Sequence, residues 1–423
     1  MAKIVYASLA GLAAISIAFA LQARAATPTI EERIAASRAP LTIQGGKLAG
    51  AGARELIDAV RLATYTAVGE DHGTVEIPAF VDALDADPSA GRFDALILET
   101  GPSVTPFLQQ WIGSGAGAHE AARFERRYPG AIAFYTWRDE FALLKHARAR
   151  TPSLHLIGID QELMGAAGIL FDLAAAGDVS PAIRAHLHSL SDRDRAATQA
   201  AFKSGNPFDF FMMSAPQRDL DALQNALAAE HDSGAKIYVD RLLESRAIYV
   251  NCCGNKASQS NRDRAKLMKA AFSGSKAGAI IRRGGRLLLK FGAEHLYRGL
   301  NPLHNNDFGN YVSEAADANG KRSVNILVLG VAGEQLKFAG AGRWERHRYS
   351  LYDADHAIYS SLRPLADAMY SNAWTIFDLR KLRPRFDSLK IADYNFEKVV
   401  FGYDFLVLIP RTTADQPLEP GLF

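Results

Sequence analysis

The sequence predicts an α/β fold: a central, mostly parallel sheet flanked by helices, with a helical insertion. Three observations carry this. The first half alternates short apolar runs with amphipathic helical stretches, the pattern of a sheet sandwiched between helices. Residues 161–273 turn almost wholly helical, with "LDALQNALAAE" and "KIYVDRLLESRAIYV" as amphipathic runs. Strand character then returns, so the second half completes the sheet and the fold reads as one discontinuous domain.

Taken in order, residues 65–69, 95–99 and 154–159 read as strands, leading into or ending at Glu70, Glu99 and Asp160, which places three acids along one edge of a parallel sheet. Helices are predicted near 77–84, 104–112 and 140–150, and "GSGAGA" (113–118) as a flexible loop without a phosphate-binding signature. Later strands are expected at 286–291, 324–330, 374–378 and 403–409, and the Pro-rich tail after Arg411 as a loose terminus. The chain thus divides into residues 1–25, 26–160, 161–273 as an insertion or cap, and 274–423.

Residues 1–25 carry one Lys, an apolar run from Ile4 to Leu21 and Ala23-Arg24-Ala25, the pattern of a cleaved secretory signal. A retained membrane anchor is the alternative, since a span needs about 20 apolar residues. No other stretch is long and apolar enough to span a bilayer, and the mature protein is expected in the periplasm or outside the cell, with no membrane contact after cleavage. Cleavage removes Lys3 and Arg24, taking the 48 basic and 46 acidic residues to 46 of each. A neutral chain of this kind argues against nucleic acid as a partner. The only cysteines, Cys252 and Cys253, are neighbours and staple no loop. They read as two small buried residues at a helix end, or else as a vicinal redox pair.

The strongest chemical signal is Gly69-Glu70-Asp71-His72-Gly73, an acid and an imidazole between a strand and a helix. His72 is the candidate general base. A carboxylate such as Glu99 on Nδ1 would fix its tautomer and leave Nε2 free to deprotonate water. Glu99 has the alternative of pairing with Arg138. A second group comprises His295, just after a strand, and Arg264, four residues before Met268, with Arg262 as its competitor; together they suit water activation and oxyanion stabilisation. Arg138, Arg262 and Asp160 are candidates for substrate contact. There is no G-x-S-x-G, H-E-x-x-H or phosphate loop. His186 and His188 fall on different sides of a predicted helix and make no metal site, and Trp111, Trp137 and Trp374 read as core, with Trp137 the one placed to line a cleft.

The succession "VGEDHGTVEIPAF", "ALILETGP", "TWRDEFALLKHARA", "LIGID", "RAKLM", "KFGAEHLYRG", "AWTIFDLRKL" and "GYDFLVLIP" resembles the erythromycin-esterase-like family over about residues 64–410. That family sits in a broader group with the haem-binding lipoprotein ChaN and Tiki-like proteases. The resemblance implies an α/β fold with an inserted helical region and metal-independent, cofactor-free hydrolysis by a His-activated water. Carried over, His72 is the general base, Glu70 and Glu99 its acidic partners, and His295 with Arg264 the second half of the site. The family's Gly-Glu-x-x-His-Gly spacing is one residue shorter here, which leaves the orientation of Glu70 open, and Arg262-Asp263 competes with Arg264 for the family's Arg-Asp pair. The expectation is an exported hydrolase acting on an ester or related acyl bond of a small organic molecule. One alternative is a haem- or ligand-binding protein offering Tyr65, Tyr297 or His72 as axial ligand, and non-covalently, since no CxxCH occurs. The other is a metal-dependent peptidase with His72, His295 and Glu99 as ligands.

Overall fold

Runs of residues buried on both sides become the middle of a nine-stranded sheet. The computed structural model describes residues 28–230, 234–252, 254–341, 343–353, 359–383 and 393–419; the leader 1–25 and Cys253 lie outside them. In chain order the strands are β1 (Arg38–Gln44), β2 (Lys47–Ala49), β3 (Tyr65–Glu70), β4 (Ala95–Leu98), β5 (His155–Gly158), β6 (Leu287–Gly292), β7 (Ser323–Gly330), β8 (Ala332–Gly340), β9 (Arg343–Ser350), β10 (Trp374–Asp378) and β11 (Phe405–Ile409). The large sheet runs β2-β1-β10-β11-β7-β3-β6-β4-β5, and β8 with β9 forms a separate hairpin. From β11 to β5 every pairing is parallel; β10, β1 and β2 add on antiparallel. The sheet is therefore mixed and mostly parallel, as the sequence predicts.

Parallel strands covered on both faces need apolar side chains on both. β3, β4 and β11 are buried at every position. Successive residues serve opposite cores: Val68, Leu288 and Val407 pack on one side, Ala67, Leu289 and Leu408 on the other. Register aligns the carboxyl ends, with Glu70 opposite Gly292 and Leu98 opposite both Lys290 and Gly158. Glu70, Glu99 and Asp160 thus emerge along one rim. Between Met164 and Gly274 every regular element among the described residues is helical. The longest, Pro181–Ser204, starts on the Ser180 side chain and stops at Gly205, whose φ of 73° ends it in the left-handed region.

Four expectations are corrected. The antiparallel β1 and β2 and the β8/β9 hairpin lie outside the strands that the sequence predicts; β9 is mostly exposed and polar, so it lacks the alternation that marks a strand. Gly117, expected in a flexible loop, opens the helix Gly117–Arg127. Cys252 is exposed on the turn after Tyr249 rather than buried. The tail is docked: Val75 N–H donates to Thr413 O (2.9 Å), Arg138 N–H to Gln416 O (2.7 Å), Asp415 N–H to Gly73 O (3.0 Å) and Leu418 N–H to Thr136 O (3.0 Å). Proline content hid this, because prolines lack a donor but their neighbours do not. Among the described residues no helix is long and apolar enough to cross a membrane.

Truncation after Arg411 breaks those four bonds. At about 1 kcal/mol each, urea unfolding of the truncated protein should show a loss on the order of a few kcal/mol; an unchanged midpoint would mean that the tail is dispensable.

Candidate active site

The turn at the end of β3 is shaped by two glycines, Gly69 in the strand's last residues and Gly73 just beyond it. A Cβ on Gly69 would lie 2.4 Å from the Tyr403 hydroxyl, which instead donates to Ala293 O (2.5 Å) at the turn carrying His295. Gly73 has φ +89°, and a Cβ there would meet Leu336 O at 2.1 Å, so β8 packs directly on its backbone. Between them Glu70 is buried and His72 turns back over it, with Nδ1 2.7 Å from Glu70 Oε1. The imidazole stacks on Phe134, 3.9 Å between centroids and 12° from parallel. Phe134 has φ 60°, a strained value for a bulky side chain that places the ring against His72.

Glu99, one residue past β4, is the centre of the cluster. Its Oε2 lies 3.3 Å from His72 Nε2 and accepts the Gly292 N–H (2.5 Å); its Oε1 accepts from Arg264 (2.7 Å) and lies 3.5 Å from His295 Nε2. Arg264 also binds both oxygens of Asp160, its Nε at 2.9 Å from Oδ1. His295 Nδ1 is 3.0 Å from Asp307 Oδ2. Each histidine therefore has one carboxylate on Nδ1 and turns Nε2 toward Glu99. Behind them Lys290 donates to Glu70 Oε1 and Glu140 Oε1, both at 2.6 Å.

These contacts set the charges. Burial alone would lower the His72 pKa, but Glu99 and Glu70 outweigh it and hold it up at about 10. Burial and Arg264 press on His295 in the same sense, and Asp307 and Glu99 overcome them, so its pKa is also raised. Burial would raise the Glu99 pKa; His72, His295 and Arg264 instead hold it well below the usual carboxylate range. Glu70 is lowered likewise, against burial, by Lys290 and His72.

The structure brings together His72, Glu70, Glu99, His295, Arg264 and Asp160. It separates Arg262 and Arg138 from them. Arg262 sits two positions before Arg264, about 200° round the helix Ala257–Gly274, and its exposed guanidinium binds Gln259 (2.8 Å). Arg138 turns outward to Asp139 (3.1 Å) and Gln416 rather than to Glu99. Two details also differ from expectation. Glu70, not Glu99, takes the Nδ1 position, and Nε2 faces Glu99 instead of standing free. Sequence reasoning missed Lys290, Glu140, Asp307, Phe134 and Gly292; the one visible signal was a lysine inside the apolar run "RLLLKF".

The tyrosines offered for haem do not meet His72. Tyr65 opens β3 at the opposite end of that strand, and Tyr297 is fully buried against Tyr403. For a metal, the donors proposed are already committed to one another, and among the described residues no group of three or more His, Cys, Asp or Glu is arranged to hold an ion.

A cavity of about 890 Å³ adjoins the cluster, between the outer edge of β5 and the helices Thr105–Trp111, Lys236–Tyr249 and Ala257–Gly274. Ile157, Ile248, Leu267 and Pro106 give it an apolar body, and Asp160 is the wall that it shares with Arg264.

No protein-family profile and no curated protein matches the chain. Solved structures do, at the level of fold. A Bacillus cereus protein matches with 15% identity and a TM-score of 0.57, over 92% of this chain and all of its own. A succinoglycan biosynthesis protein matches with 14% identity and 0.55, over 92% and 97%. An erythromycin esterase, as a histidine-to-asparagine variant in its open conformation, matches with 14% identity and 0.53, over 86% and 95%. The chain has an erythromycin-esterase-like fold.

The raised His72 pKa has a consequence for stability. The folded state binds this proton more tightly than the unfolded one, whose imidazole titrates near 6.5, so the contribution is complete below about 6.5 and is lost as pH rises through about 10. Between those limits the wild type should lose on the order of a few kcal/mol more than His72→Gln in denaturant unfolding; parallel curves would contradict the tighter hold of Glu99 and Glu70 on the imidazolium.

Proposed function

We propose that this chain is an exported, metal-independent hydrolase of the erythromycin-esterase type that attacks an ester or related acyl bond. The observation that carries the reading is the convergence of two imidazoles from distant parts of the chain on one buried carboxylate, each backed by a carboxylate of its own. The fold-level likeness to an erythromycin esterase supports it, and the leader pattern supports export. The erythromycin-esterase-like resemblance in the sequence supports the same hydrolase reading.

In this mechanism neutral His72, whose side chain is 23% exposed, takes a proton from water on Nε2. Glu70 stabilises the imidazolium through Nδ1. Hydroxide adds to the acyl carbon, and the charge that develops on its oxygen faces Arg264 and protonated His295. Collapse of the adduct returns the Nε2 proton to the leaving alcohol. Asp160 holds Arg264 in place, and the adjoining cavity takes the body of an organic substrate. The base must first be neutral, so kcat/KM should climb with pH toward about 10.

Purified mature protein should hydrolyse members of a panel of esters and lactones. His72→Ala should lower turnover by about 10²-fold or more in a protein that still folds, its unfolding midpoint below wild type at neutral pH because the imidazolium contribution is gone. Gly292→Ala is a second probe. Its backbone φ of −52° accepts alanine, but the new Cβ would lie 2.9 Å from His72 Nε2, so activity should fall while the fold is kept. Full activity in His72→Ala, or none in the wild type on any panel member, would refute the assignment.

A further inference from the structure

Lys290 lies inside β6, opposite Leu98 of β4 and Val68 of β3, with 1% of its side chain exposed. Burying an ammonium there costs several kcal/mol unless it is paired. Its partners are Glu70 and Glu140, on β3 and on the helix Arg138–Arg150, and the Tyr135 ring lies 6.0 Å from Nζ. The same oxygen of Glu70 that receives Lys290 also receives His72 Nδ1. The result is an unbroken line, His72 to Glu70 to Lys290 to Glu140, reaching from the partly exposed imidazole into the core.

Each carboxylate of the line spends one oxygen and leaves the other buried and unpartnered: Glu70 Oε2 and Glu140 Oε2, with Asp415 Oδ2 beyond them. Two glutamates thus compete for one ammonium. Burial lifts Glu140 to about 7 despite Lys290, and Asp415, which acts on it from the docked tail, is lifted to about 7 as well, chiefly by burial. Within this pocket the charged groups facing Lys290 are Glu70 and Glu140; those facing His72 are Glu70 and Glu99, with Arg264 and His295 behind Glu99.

We propose that Lys290 is the positioning residue of His72: its ammonium, shared between Glu70 and Glu140, fixes the Glu70 carboxylate on Nδ1 and sets how tightly the ring holds its second proton. The inference rests on the hydrolase reading for its catalytic meaning, but not for its test. Removing the buried cation strengthens the field of Glu70 on the ring, and removing the buried anion at Glu140 weakens the total negative field. The two substitutions therefore act on His72 with opposite signs. A lysine whose charge did not reach the ring through Glu70 would move it in neither direction.

The experiment is NMR titration of the histidine ring protons in the full mature protein, with His72 identified by the signal lost in His72→Gln. Lys290→Met should move the His72 midpoint up and Glu140→Gln should move it down, each by about 0.5 unit or more, the scale of a charge one residue removed. In an ester assay Lys290→Met should lower kcat with KM near wild type, its pH–rate curve displaced toward alkaline pH. If Lys290→Met does not fold, Glu140→Gln alone decides, and a midpoint that stays or rises overturns the proposal. Shifts of the same sign in both variants, or in neither, also overturn it. A wild type without esterase activity would refute the hydrolase reading, while the two ring titrations would still decide the role of Lys290.

Discussion

A carboxylate sealed from water must be compensated where it lies, and Glu99 is that carboxylate. Only 5% exposed, it meets the Gly292 N–H, the Arg264 guanidinium and the Nε2 faces of His72 and His295. These partners come from β6, from the helix Ala257–Gly274 and from the turns after β3 and β6. One charge therefore ties together four segments that the sequence scatters over more than 200 residues. A buried ion left without partners costs far more than any single contact here returns, so the geometry of the rim follows from the need to neutralise Glu99 and, one layer deeper, Glu70.

This requirement also explains the order of the carboxylates. Glu70, Glu99, Asp160 and Asp307 alternate with His72, Arg264 and His295, and none of the cations lacks an acid. Such alternation keeps both imidazoles oriented while raising their basicity. The parallel sheet supplies the scaffold: because β3, β4, β5 and β6 run the same way in register, their carboxyl ends deliver these side chains to one rim.

Much of this is legible from residues alone. Apolar runs locate β3, β4, β5, β6, β7, β10 and β11 to within a residue or two, since strands buried on both faces are nearly continuous in hydrophobicity. The polar residue after each of the early runs marks the rim. What the sequence conceals obeys different physics. β9 is exposed and charged and shows no pattern. Asp307 reaches His295 from a loop end, Phe134 reaches His72 through a strained backbone, and neither contact leaves a trace in spacing. The choice between Arg262 and Arg264 turns on helical phase, which a breakpoint uncertain by one residue conceals. Lys290 is visible as a charge in an apolar strand, but its partners are not.

One carboxylate governing both histidines is the claim on which the rest depends. The most direct measurement is the ring titration of His72 and His295 in Glu99→Gln, a substitution that keeps the shape and removes the charge. Both midpoints should fall together, because both rings lose the same anion. A fall in only one of them, or in neither, would contradict the claim.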